Sequence, residues 1–151
     1  MYKKLFIGSL ILWSITLGTF AKFFISGSTS VSTDNRLAVH LSPSEKDIVL
    51  GEMRAVLTAL NATLKALGKE DFKESSIAAK KAGAGMAVDI NPVLMAKLPL
   101  EFKKLGMSMH GDFDKFSSDL DKGMTQKEAV ARMGEITNKC VACHATYRLT
   151  N

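Results

Sequence analysis

Both cysteines of this 151-residue chain fall within one pentapeptide near its end, Cys140-Val141-Ala142-Cys143-His144. Residues three and four apart on a helix share a face, so a helical segment here projects Cys140, Cys143 and His144 to one side. C-x-x-C-H is the pattern of covalent c-type haem attachment. Each thiol adds to one vinyl group of the porphyrin, and the adjacent imidazole binds the iron. A dithiol redox pair is one competing reading, but that motif belongs beside a βαβ pattern, and none is visible. Zinc is another, and needs about four ligands. His40 and His110 stand isolated in sequence and form no second ligand pair. The pattern predicts one haem c, bonded through Cys140 and Cys143, with His144 on the iron.

The N-terminus reads as a membrane-directing segment. Lys3 and Lys4 precede an uncharged run from Leu5 to Ala21, then Lys22 and Phe23-Phe24-Ile25 follow. Residues 1–26 are expected to be a signal peptide or a signal anchor. Thr19-Phe20-Ala21 and Ser26-Gly27-Ser28 are the candidate cleavage sites. Left uncut, Leu5 to Ile25 is about 20 residues and long enough to span a bilayer. In either case the two lysines hold the N-terminus in the cytoplasm and send the remainder across. The expected location is periplasmic, free or tethered to the inner membrane. Export suits the motif, because c-type attachment is a chemistry of the outer face of bacterial-type membranes.

That segment also accounts for the basic balance. The formal charge is +5, but no acid lies before Asp34, and without Lys3, Lys4 and Lys22 there are 17 basic residues against 15 acidic ones. Two haem propionates would bring the sum near zero. No basic run remains, which argues against a nucleic-acid partner.

Residues 27–41 open on Gly27-Ser28-Thr29-Ser30 and read as a flexible linker. The rest, residues 42–151, reads as one domain of four helices. The first opens at Ser42-Pro43-Ser44-Glu45, a capping serine with proline at the first helical position and glutamate three after the cap. Its apolar stripe, Met53, Leu57, Leu60, Leu64 and Leu67, has the spacing of a bundle seam, and Gly68 ends it. A second helix, about Glu70 to Ala84, carries Ala78, Ala79 and Ala82 for close packing. A single helical turn follows Pro92. The third helix starts near Pro99 with Phe102, Leu105, Met109, Phe113, Phe116 and Leu120 at helical spacing. Gly106 and Gly111 inside it each cost about 1 kcal/mol relative to alanine, which points to a close neighbour or the porphyrin. The fourth begins with the capping box Thr125-Gln126-Lys127-Glu128 and runs through Val130, Met133 and Ile136 to the haem motif. Strand alternation is absent. The expected fold is all-α, an antiparallel four-helix bundle with haem near the C-terminus, preceded by the N-terminal hydrophobic segment.

Cys140-x-x-Cys143-His144-x-x-Tyr147-Arg148 on the last helix of such a domain resembles the cytochrome c prime family and its low-spin relatives. The resemblance covers about residues 42–149, more weakly over His110-Gly111-Asp112-Phe113-Asp114, which is similar to the third helix of the related soluble cytochrome b bundle. It implies His144 as proximal ligand and Arg148 near the haem edge, where it would pair with a propionate or tune the iron. In the low-spin relatives a methionine on the first helix is the sixth ligand, which selects Met53. The family often places that ligand, or its apolar replacement, four residues after an arginine, which selects Thr58 instead. His110 is a third candidate. Relatives often dimerise through their first two helices, and the alanine-rich second helix permits a homodimer.

Two functions follow. With Met53 bound, the chain is a one-electron carrier serving redox partner proteins at the membrane. With an open distal side, it is a five-coordinate, gas-binding protein for NO or CO. A structural role, with haem stabilising a small bundle, is a third class. No carboxylate pair, nucleophile–base pair or phosphate loop suggests an enzyme.

Overall fold

A computed structural model of the chain describes residues 2–87 and 91–151. Six α-helices dominate it. Helix α1 (Tyr2–Ser26) is long and apolar enough to cross a membrane, and none of its residues is buried. Helix α2 (Pro43–Leu67) starts and stops at the expected signals. The Ser42 hydroxyl accepts from the Glu45 N–H, the Glu45 carboxylate accepts from the Ser42 N–H, and Gly68 caps the end. Helices α3 (Phe72–Lys80), α4 (Pro92–Lys97), α5 (Leu100–Asp121) and α6 (Gln126–Thr146) follow, with a single 3-10 turn at Ala84–Ala87.

The segment expected as a flexible linker is instead ordered sheet. Strands β1 (Thr29–Val31) and β2 (Leu37–His40) pair antiparallel around a turn in which Asn35 takes a positive φ. Strand β3 (Tyr147–Thr150) pairs parallel to β2, with Leu37 opposite Tyr147 and Val39 opposite Leu149. Ala38, Val39 and Leu41 are buried. The all-α expectation therefore holds for the bulk of the domain and fails at this seam. Three- and four-residue strands carry too little alternation to be told from loop by periodicity, and β3 forms only because β2 offers an edge to pair with.

The core has two parts. In the first, α3 packs on α2 and α5, and α5 packs on α6. Phe113, Phe116, Leu120, Met133 and Ile136 meet Val56, Ala59, Ala79 and Ala82 there. The alanines bring α3 close, as expected, and Ser76 and Ser117 share a buried hydrogen bond of 2.9 Å across that contact. Close approach also occurs at Gly83, where an added Cβ would collide with the Asp114 carboxylate. Gly106 and Gly111 do not fit the expectation of a close neighbour, since a Cβ on either meets nothing within 4 Å. The second part joins Val39, Leu41, Val49, Leu94, Leu98 and Tyr147, with Tyr147 edge-on to Phe102 at 5.3 Å between ring centroids.

The expected seam of α2 is rotated in the structure. The buried face is Val49, Val56, Ala59, Thr63, Ala66 and Leu67, while Leu57 and Leu64 are exposed. Small residues win the contact with alanine-rich α3, which turns the leucines aside. Val130 on α6 is likewise exposed, whereas Ala129, Met133 and Ile136 are buried.

Phe116 is fully buried at the centre of the first part. Phe116→Ala is expected to cost about 3–5 kcal/mol, read from urea unfolding. A loss below about 1 kcal/mol would mean that α5 is not the centre of this core.

Candidate functional site

Helix α6 carries the C-x-x-C-H motif without a break because the Thr125 box starts it cleanly and nothing interrupts it before Thr146. Cys140, Cys143 and His144 consequently share one face, and all three line a single groove of about 520 Å³. That is within the roughly 300–1,000 Å³ of sites for one small molecule or cofactor. The opposing wall is α2, through Met53, Val56, Leu57 and Leu60, and the α4–α5 corner contributes Leu98 and Phe102. Leu57, turned away from the core on α2, thus becomes groove wall. Gly106 lines it too, and there the lack of a side chain leaves room.

Both cysteines are free thiols and half-buried. Burial raises the Cys140 thiol above its ordinary range, and burial followed by the neighbouring Cys140 raises Cys143. A C-x-x-C redox pair depends on a lowered thiol pKa, the opposite of the direction here. Among the described residues no group of three or more His, Cys, Asp or Glu side chains could hold a bare metal ion. Two thiols, one imidazole and a thioether around an apolar groove form a donor set that fits a haem bonded through sulfur.

Met53, the methionine expected as a sixth ligand, lines the same groove as Cys143 and His144. Met95, Met107 and Met109 line that groove as well, which sequence spacing did not reveal. Thr58 is not among the lining residues, and its hydroxyl donates to the Arg54 carbonyl at 2.9 Å.

His110 also borders the groove, but both ring nitrogens are engaged. Nδ1 lies 2.7 Å from the Ala82 carbonyl and Nε2 3.2 Å from Glu52 Oε1. It is a buried tie between α5, α2 and the end of α3 rather than a spare ligand.

Arg148 does not lie where the resemblance implied. Helix α6 ends at Thr146, so Arg148 stands on β3, outside the groove, 3.5 Å from Asp34. A strand alternates faces with period two, so the four-residue helical offset from His144 no longer applies. Arg36 does reach the motif. Its Nη1 donates to the His144 carbonyl at 3.1 Å, while its Nε and Nη2 donate to Asp34. A guanidinium there satisfies a carbonyl that the end of α6 leaves without a helical partner. No sequence signal marks a contact between residues 108 apart.

No protein-family model, curated protein or solved structure matches this chain.

Charge around His110 has a testable consequence. Its hydrogen bond to Glu52 raises the pKa most, against burial, with the Ala82 carbonyl and the charges of Glu52 and Asp114 adding to the rise. Asp114 is itself bonded to Lys80 at 2.7 Å and to the Ala84 N–H at 2.9 Å. Both partners of His110 only accept, so the geometry favours the protonated ring over the neutral one. A raised folded pKa contributes stability that is complete below about pH 6.5 and lost as pH rises through the folded value. Wild type should therefore lose more unfolding free energy than His110→Gln between about pH 6 and pH 9. Equal losses in urea titrations would show that the pair contributes nothing.

Proposed function

We propose that the chain is a c-type cytochrome that holds one haem covalently and carries single electrons at the outer face of a membrane. The convergence of Cys140, Cys143, His144 and Met53 on one apolar groove supports this most strongly. In this reading α2, α3, α5 and α6 are the four rods of a cytochrome c prime-like bundle. The bound group supplies an iron that gains and loses one electron, and His/Met ligation raises its potential.

The chain's own residues account for the rest. Cys140 and Cys143 on α6 would bond the porphyrin through sulfur, and His144 on α6 and Met53 on α2 would hold its iron. Apolar walls keep water from the centre, which limits rearrangement when charge changes. His144 and Val141 are exposed, so one edge of the groove is open to a redox partner protein. No reaction on a substrate is required, and the chain acts as a carrier rather than an enzyme. Leu64, exposed on α2, leaves apolar surface for a homodimer. The chain is exported, with Lys3 and Lys4 left on the cytoplasmic side.

Intact mass and absorption spectra of the exported protein test this reading. The expected results are the mass of one added porphyrin, a low-spin spectrum with the weak red band of Met–iron bonding, and no reaction with carbon monoxide. A broad high-spin spectrum that shifts with carbon monoxide would select the five-coordinate, gas-binding alternative. A bare polypeptide mass would reject both.

A further inference from the structure

Helix α1 does not join the domain through a slack tether. Gly27 ends the helix with φ +62, its N–H donating to the Phe23 carbonyl at 2.9 Å. A Cβ at Gly27 would collide with the Lys97 carbonyl and lie 2.7 Å from the Pro99 nitrogen, so the backbones meet with no room to spare. The Ser28 N–H donates to the Lys97 carbonyl at 2.7 Å, and the Ser28 carbonyl accepts from the His40 N–H at 2.8 Å. Strand β1 then begins at Thr29. From the other side, Lys103 sits 4.6 Å from the centre of the Phe24 ring and reaches the Phe24 and Met95 carbonyls at 3.4 and 3.3 Å. From Phe23 to Thr29 only Gly27 and Ser28 lie outside helix and sheet, Gly27 packed against the α4–α5 corner and Ser28 bonded to it.

We infer that α1 is a retained membrane anchor and that this junction is a rigid strut holding the groove against the lipid surface. The inference deepens the proposed function and rests on it only for what the groove contains. Helix α1 has 25 residues, about 37 Å at 1.5 Å per residue, against a hydrocarbon core of about 30 Å. Its last turns consequently emerge at the headgroups, and the domain starts there without a spacer. Phe20 and Phe24 stack near that end, and Lys22 and Lys103 carry positive charge at the depth of anionic headgroups. Lys103, Met95, Leu98 and Phe102, which form this corner, are also groove wall. The groove is thereby confined to partners that share the membrane surface. A flexible tether would let it sample a wide volume instead.

The test uses the full-length exported protein in vesicles of phosphatidylcholine and phosphatidylglycerol. A benzophenone-bearing residue is placed at Ala96, exposed on α4 beside Lys97, or at Ser118, exposed far along α5. Illumination should give lipid adducts from position 96 and none from position 118. Gly27→Val, which forces the Lys97 carbonyl away, should abolish the adduct at 96 while the absorption spectrum stays unchanged. Adducts at both positions or at neither, an adduct that survives Gly27→Val, or a mature chain lacking α1 would each overturn the inference. Failure of the haem reading appears separately, as a missing porphyrin mass with the lipid adducts unaffected.

Discussion

On the proposed reading, Cys140→Ser combined with Cys143→Ser should release all haem under acidic organic extraction, where the wild-type protein should release none. A serine hydroxyl forms no thioether, so only coordination and apolar contact would remain to hold the porphyrin. Both side chains are half-buried on the groove face of α6, and serine is close to cysteine in size. Helix propensity changes by a few tenths of a kcal/mol at most, so α6 itself should persist. Circular dichroism of the variant would separate loss of attachment from loss of fold. Haem that stayed with the variant chain through extraction would contradict the linkage through sulfur. A single-cysteine variant should keep one bond, and its reduced spectrum should shift toward that of a haem with a free vinyl group.

Met53→Leu should convert a low-spin spectrum to a high-spin one and open the iron to carbon monoxide. Leucine and methionine are close in volume, and such a swap in packed surroundings costs under about 1.5 kcal/mol. The substitution therefore removes the thioether with little else. The potential should fall by on the order of 0.1 V or more, because axial ligation spans much of the range open to haem proteins. An unchanged spectrum would reduce Met53 to groove wall. The next candidates would then be Met95, Met107 and Met109, which border the same groove from α4 and α5.

Local chemistry made most of the helices legible. Ser42 with Glu45 and Thr125 with Glu128 form reciprocal capping boxes in the structure, and each needs only four consecutive residues. The alanine run of α3 and the phenylalanines of α5 likewise went to the core as their spacing implied. What spacing could not decide was which of two plausible faces of α2 would be buried. Met53, Leu57, Leu60 and Leu64 look like a seam, yet Ala59, Thr63 and Ala66 win the contact with α3, because small side chains let two helices approach.

Residues 27–41 and 147–150 escape a local pattern for a different reason. Each strand is three or four residues long and exists because a distant partner supplies its hydrogen bonds. That pairing moved Arg148 off the helix and away from the groove, and brought Arg36 to the His144 carbonyl.

The chain alone determined the helix starts, the apolar N-terminal helix and the shared face of Cys140, Cys143 and His144, because each depends on neighbours a few residues apart. Tertiary structure decided that Met53 faces that same groove, that His110 is spent on Glu52 and Ala82, and that the stretch after α1 is pinned rather than loose. Those outcomes depend on contacts between residues far apart in sequence, whose hydrogen bonds and packing no local pattern encodes.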